Sequence, residues 1–458
     1  MNLPYIPPYK TKMIEPLYFS TKIERKRWIE EADFNLFKLD SDWVIVDLMT
    51  DSGTGAMSEQ QWAEVMLGDE SYAGSESFYK LKRTIKELLG FEHMVPTHQG
   101  RAAENILFSA TVKEGDIIPG NAHFDTTKGH IEFRKAHAVD CTIDEAYNTA
   151  TDHPFKGNVD LDKLKKVLDD NPKDNIPFIN ITITCNTVGG QPVSLKNIEQ
   201  VHQLAEQYGI PVFMDIARYA ENAYFIKKRE PEYKDWPIKK IVEKTFSYCD
   251  TAWMSAKKDG LANMGGFIGT KNEELFTAIS NLTIIYEGFI TYGGMSGRDM
   301  GALAQGLQEA VDFNYLESRV EQVHYLGEKL KEYGIPIQTP VGGHAIFIDA
   351  KKVYPHIPQS EYPGQVLAVE AYVEGGVRGT EIGTLLADRD PDTGLDRYPE
   401  LDTLRFAIPR RVYTRNHMDY IAATMRNVYE NRNQVKRGFK IKWQAPILRH
   451  FTVQLEKL

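Results

Sequence analysis

The feature that most constrains this chain is a strand, a glycine turn and a helix in series. Phe178-Ile179-Asn180-Ile181-Thr182-Ile183-Thr184 is a β-branched run closed by Gly189-Gly190. Ser194 then opens a helix with Ile198, Val201, Leu204 and Ala205 on one face and a stop at Gly209. Ile210-Pro211-Val212-Phe213-Met214 follows as a second buried strand. The same grammar appears earlier, in Met94-Val95-Pro96, the turn Gln99-Gly100 and a helix carrying Ala102, Ala103, Ile106 and Leu107. Strands separated by helices require right-handed crossovers, so the expectation is an α/β fold whose mainly parallel sheet is covered on both faces. Ligands of such sheets sit at the strands' carboxyl ends, which is where Asp215 and Ser255 to Lys258 fall.

The pattern sets in at Ser58-Glu59-Gln60-Gln61, a capping-box spacing ahead of Trp62, Val65 and Met66. After about residue 311 long helical stretches give way to Gly342-Gly343-His344-Ala345-Ile346-Phe347-Ile348 and Leu404-Arg405-Phe406-Ala407-Ile408, which suits a smaller α+β domain. The expected division is an N-terminal arm over 1–57 shared with the small domain, a large domain over 58–311 and a small domain over 312–458. At 458 residues the chain exceeds what one core usually organises.

Composition narrows the function. Lysine plus arginine against aspartate plus glutamate is 54 − 64 = −10, with no long basic run, so nucleic acid is not an expected partner. Cys141, Cys185 and Cys249 have neither disulfide nor zinc spacing. The start, MNLPYIPPYK, breaks any secretory apolar stretch with proline, and about 18 apolar residues never run together; a cytoplasmic protein without a membrane span is expected.

Three small constellations carry possible chemistry. Lys257 and Lys258 in MSAKKDG follow a strand and precede the turn Asn263-Met264-Gly265-Gly266; paired lysines alone are more often a solvated turn. Asp215 in MDIARYAEN ends another strand, where a helix-capping aspartate is the ordinary reading. Gln99-Gly100-Arg101 lies at a strand-to-helix turn, where backbone N–H groups and a guanidinium suit a phosphate. Their order fits a fold-type I enzyme of pyridoxal 5'-phosphate (PLP), which needs a Schiff-base lysine, a carboxylate for the pyridine nitrogen and a phosphate cradle.

With these motifs stand LMTDSGTGAMS, GDESYAGS, PTHQGRAAEN, FDTTKGH, GGQPVSL, MDIARYAENAYFIK, YEGFITYGG, GGHAIFIDA, GVRGTEIG, IPRRVYT and LRHFT, spanning nearly the whole chain. Together they resemble the tryptophanase and tyrosine phenol-lyase group of β-eliminating lyases. The resemblance implies that Lys258 is the Schiff-base lysine and Cα base, with Lys257 beside it modulating solvent and cation. Asp215 faces the pyridine nitrogen and Arg218 the phenolic oxygen. Gln99, Gly100, Arg101 and Ser255 form the phosphate cradle, and Phe124 stacks on the ring. Arg405 pairs with the substrate carboxylate, supported by Asn186 and Ser52. The resemblance also implies that Tyr72 works across a dimer interface, that a monovalent cation, K+, is held by Gly53, Glu70 and Asn263, and that the assembly is a homotetramer of paired dimers.

Within that group three positions favour β-elimination of L-tryptophan to indole, pyruvate and ammonia, with related β-substituted amino acids as side substrates. Where the tyrosine-cleaving members have threonine and arginine for a phenolic hydroxyl, this chain has Asp125 and Ile382. His450 stands where they have phenylalanine. An aspartate accepts from an indole N–H, and an isoleucine offers a hydroxyl nothing. GTEIG and DRDPDTG lean the same way. The alternatives are cleavage of tyrosine to phenol and a PLP-fold binding protein without turnover. Ile216 and Ala103 depart from the group's pattern without removing a polar group that the chemistry needs.

Overall fold

The computed structural model describes residues 6–390 and 393–458; the first five residues of MNLPYIPPYK and Pro391 and Asp392 of DRDPDTG lie outside the described residues. The chain forms two compact units, one of residues 52–146 and 154–319, the other of residues up to 51, 147–153 and 320–458.

The first unit is built on a seven-stranded sheet of β1 (His93–Thr97), β2 (Ile117–Gly120), β3 (His137–Asp140), β4 (Ile179–Thr182), β5 (Val212–Asp215), β6 (Thr251–Ser255) and β7 (Gly266–Thr270), in spatial order β1-β7-β6-β5-β4-β2-β3. Strands β6, β5, β4, β2 and β3 pair in parallel, as the helical crossovers require. Strand β7 runs against both of its neighbours. The cause is its connection: residues 256–265 are too few for a covering helix, so the chain returns beside β6 in the opposite sense. Strands β4 and β5 are buried along their length, which is why they read as continuous apolar runs. Phe178 and Phe213 stack at 4.4 Å between ring centroids, in a core with Ile106, Phe108 and Trp253.

Helices α1 (Gly100–Thr111), α2 (Asp125–Phe133), α3 (Leu195–Tyr208) and α4 (Tyr219–Arg229) follow β1, β2, β4 and β5. Ser194 caps α3 by accepting the Asn197 N–H, and Gly209 ends it in the left-handed region at φ +64°, as the sequence indicated. Ser58 and Gln61 close the expected capping box.

The second unit holds a three-stranded antiparallel sheet of β8 (Ala345–Asp349), β9 (Thr380–Ile382) and β10 (Thr403–Ala407), in order β9-β10-β8. Its two faces differ. Ile346, Ile348, Leu404 and Phe406 point into the large core of this unit. The other face carries Ala345, Phe347, Ile382 and Ala407 as a separate apolar cluster, with Arg405 registered opposite Thr380 and Phe347. Residues 147–153 join this unit through Thr149, whose carbonyl accepts from the amide and hydroxyl of Thr339 and whose hydroxyl donates to Asp349 at 2.7 Å. No helix among the described residues is long and apolar enough to cross a membrane.

Candidate active site

The carboxyl ends of β1, β4, β5 and β6 surround a cavity of ≈ 210 Å³ within the first unit. Its wall contains Ser52, Gln99, Gly100, Arg101, Phe124, Asn186, Asp215, Arg218, Ser255, Lys257 and Lys258, so eleven of the residues singled out from sequence meet in one place.

Lys258 donates from Nζ to Ser255 Oγ at 2.7 Å. The next residue fixes the lysine's backbone: buried Asp259 accepts from the amides of Ala220 and Glu221 at 2.8 and 3.0 Å, capping α4 across space. That contact ties the lysine loop to the helix that follows Asp215. Lys257 reaches Gln99 Oε1 at 3.5 Å; burial, then the charge of Arg101, holds its ammonium below the usual lysine range. Gly100 is demanded by packing, because a Cβ there would lie 2.5 Å from the Ser255 Cβ. The first turn of α1 therefore presses directly on the end of β6, and Gln99 provides no side-chain cap for it.

Asp215 is buried and accepts the Ala217 N–H at 3.1 Å. Burial raises its carboxyl above the ordinary range, while that amide, Lys258 and Arg218 pull it back. The wall also includes residues that sequence reading passed over: Glu104, Thr126, Thr184 and Trp253. Among the buried polar atoms without a hydrogen-bond partner are Thr184 Oγ1, Trp253 Nε1 and Glu104 Oε2. Groups of this kind are rare in native interiors, and a polar ligand in the cavity would account for these. A lysine, a buried carboxylate and a glycine-based turn with an arginine fit PLP in type and in placement at the strand ends.

Other expected residues stand apart from that wall. Tyr72 is exposed, stacked on Phe289 at 5.8 Å and edge-on to Tyr292 at 5.3 Å. A hydrogen bond with the Tyr292 hydroxyl raises its phenol above the ordinary range. Asp125 begins α2 between the wall residues Phe124 and Thr126, and its Oδ1 accepts the Thr126 N–H at 2.7 Å. Of the three expected cation ligands, Asn263 donates to the carbonyls of Gly53 and Gly55 at 2.9 and 3.0 Å. Glu70 accepts from the amides of Gly297 and Arg298. The described residues contain no group of three or more His, Cys, Asp or Glu side chains arranged to hold a metal ion.

Three candidates belong to the second unit. Arg405 Nη2 donates to the Met49 carbonyl at 3.0 Å from the sheet face shared with Ile382 and Phe347. Ile382 is buried in that apolar cluster. His450 is buried between the rings of Phe37 and Phe451, with centroids 5.9 and 3.9 Å away.

Comparison with known proteins places this geometry. The β-eliminating lyase family matches residues 47–424. A probable β-eliminating lyase of Trichomonas vaginalis is 58% identical over 458 residues, covering all of both chains. The tyrosine phenol-lyase of Pasteurella multocida is 48% identical, covering 98% of each chain. The tryptophanase of Hyphomonas neptunium is 49% identical, covering 99% of each. Overall identity thus does not separate the two activities. The serine palmitoyltransferase of Sphingomonas wittichii superposes with a TM-score of 0.59 at 12% identity, over 90% of this chain and 97% of that one. The architecture is the fold-type I fold of PLP-dependent enzymes, and the chain belongs to the β-eliminating lyase family.

Proposed function

We propose that this lyase cleaves L-tryptophan to indole, pyruvate and ammonia, with PLP in the cavity of the first unit and K+ as activating cation. The observation that carries the choice of substrate is the sheet face around Arg405. Its neighbours Ala345, Phe347, Ile382 and Ala407 are apolar, and its two threonine hydroxyls already donate to backbone, Thr380 to Met49 O and Thr403 to Ile382 O. Such an apolar face suits an indole ring better than a phenolic hydroxyl, whose burial unpaired costs about 1–3 kcal/mol.

PLP, when bound, supplies an electron sink for the electron pair left at the substrate's Cα. Every other task falls to the chain. Lys258 Nζ, held by Ser255, anchors the cofactor and takes the Cα proton. Asp215 keeps a proton at the ring nitrogen, and Arg218 holds the phenolic oxygen. Gln99, Gly100, Arg101 and Ser255 retain the phosphate. Phe124 stacks on the ring and Lys257 adjusts the charge around Lys258. Arg405 grips the substrate carboxylate in a bidentate geometry, seconded by Asn186 and Ser52. Indole leaves once its C3 is protonated; Tyr72 delivers that proton, in a site shared between copies of a homotetramer. Asp125 accepts from the ring N–H, and His450 is the third position that favours indole. Gly53, Glu70 and Asn263 are the oxygen donors for K+.

The test is direct: PLP-loaded protein in potassium buffer is given tryptophan or tyrosine, and indole, phenol and pyruvate are followed. Indole with equimolar pyruvate is the expected result. Phenol in excess would move the chain to the activity named for the Pasteurella relative and remove the roles given to Asp125, Ile382 and His450.

A further inference from the structure

We propose that Glu104 is a positioning residue of the cofactor cavity: held as the uncharged acid on the Thr127 hydroxyl, it leaves Asp215 as the one carboxylate facing the ring nitrogen. The proposal rests on the PLP reading of the cavity and is independent of which amino acid is cleaved.

Glu104 lies in α1 with 3% of its surface exposed. Its Oε1 accepts from Thr127 Oγ1 at 2.5 Å, while Oε2 is buried without a partner, on a residue that lines the cavity. A carboxylate in that state would forgo a hydrogen bond on a full half of its charge, which is costly in a buried site. A carboxylic acid lowers that cost, because it leaves no charge on the unpartnered Oε2 while Oε1 still accepts from Thr127.

The charges around it agree. Burial, then the charge of Asp215, pushes Glu104 up to about 7; the Thr127 and Thr126 hydroxyls oppose this, and Asp125 adds a smaller push. Arg101, Arg218, Lys257 and Lys258 stand on the same wall, and Lys258 and Arg218 favour ionisation of Asp215. Two carboxyls that feel each other in a dry pocket do not ionise together, and the cations assign the negative charge to Asp215. Glu104 therefore keeps the proton on the acid side of about pH 7 and loses it as pH rises, adding a second anion to the pocket.

The experiment is an equilibrium titration of the full chain with PLP, without substrate, for wild type, Glu104→Gln and Glu104→Asp. Glutamine mimics the uncharged acid at every pH. Wild type and E104Q should bind PLP within about twofold of each other at about pH 6 and diverge by about threefold or more by about pH 8.5. E104D, which still ionises, should retain a pH step that E104Q lacks, and it carries the test if E104Q does not fold. Superposable wild-type and E104Q profiles, a constant offset across the range, or a flat E104D profile would overturn the role of Glu104 and leave the cofactor reading intact. Wild-type protein that binds no PLP at any pH would overturn both.

Discussion

Glu104 and Glu381 are both buried glutamates, pushed by burial to about 7 and about 8, one in each unit, yet their surroundings differ. Glu381 has both oxygens occupied: Oε1 accepts the Leu385 N–H at 3.0 Å and Oε2 the Leu386 N–H at 3.1 Å. Beside it Asp402 accepts from Gly364 N and Thr384 Oγ1. That pair holds a short helix and a turn in place. Glu104 has one oxygen on a hydroxyl and the other on a cavity wall. Burial and an elevated pKa are common to both; a buried oxygen without a hydrogen-bond partner, on a residue of the cavity wall, belongs to the functional one. Such shifts point to a site only in company with that geometry.

The contrast can be broken at several depths. Lys258→Ala should reduce pyruvate release from tryptophan by at least about a thousandfold, roughly 4 kcal/mol, because it removes both anchor and base. Its unfolding midpoint should stay near that of wild type, which separates chemistry from folding. Glu381→Ala should do the reverse. Stranding the Leu385 and Leu386 amides costs about 2–4 kcal/mol in urea unfolding, while PLP affinity holds. If E381A instead weakened PLP binding as much as it weakened folding, the two glutamates would not be the different kinds of group described.

Arg405→Lys keeps the charge and loses the fork. It should lower kcat/KM for tryptophan by about tenfold to a hundredfold, roughly 1.4–2.7 kcal/mol, with PLP affinity unchanged.

A separate effect is in the pH dependence of stability. Glu381 rises from 4.5 to about 8 and Asp402 from 3.8 to about 6 on folding. Across those windows the folded protein binds more protons than the unfolded chain, so this pair favours folding least at high pH, and stability falls as pH rises toward about 8. Unfolding in urea at several pH values should show that fall in wild type and a shallower one in Glu381→Gln. An equal slope in both would remove Glu381 as its source.

Much of the cavity was legible because its residues lie where sequence periodicity changes. The β-branched run before Thr184, the aspartate closing Val212–Asp215 and the lysines after Thr251–Ser255 all announce strand ends. Glu104 was not legible, since a glutamate inside an amphipathic helix ordinarily marks its solvent face. Nor was Asp259, whose capping partners Ala220 and Glu221 are distant in sequence. The reversed β7 could have been anticipated from the ten residues, 256–265, that separate it from β6. Attachment of 147–153 to the second unit depends on Thr149 meeting Thr339 and Asp349, contacts no local pattern encodes.

The most direct test of substrate choice is a competition: equal concentrations of tryptophan and tyrosine with the PLP-loaded protein in potassium buffer, with indole and phenol quantified from the same sample at early times. The product ratio gives the ratio of kcat/KM values. Indole should exceed phenol by at least about a hundredfold, roughly 2.7 kcal/mol of discrimination; phenol equal to or above indole would contradict the account.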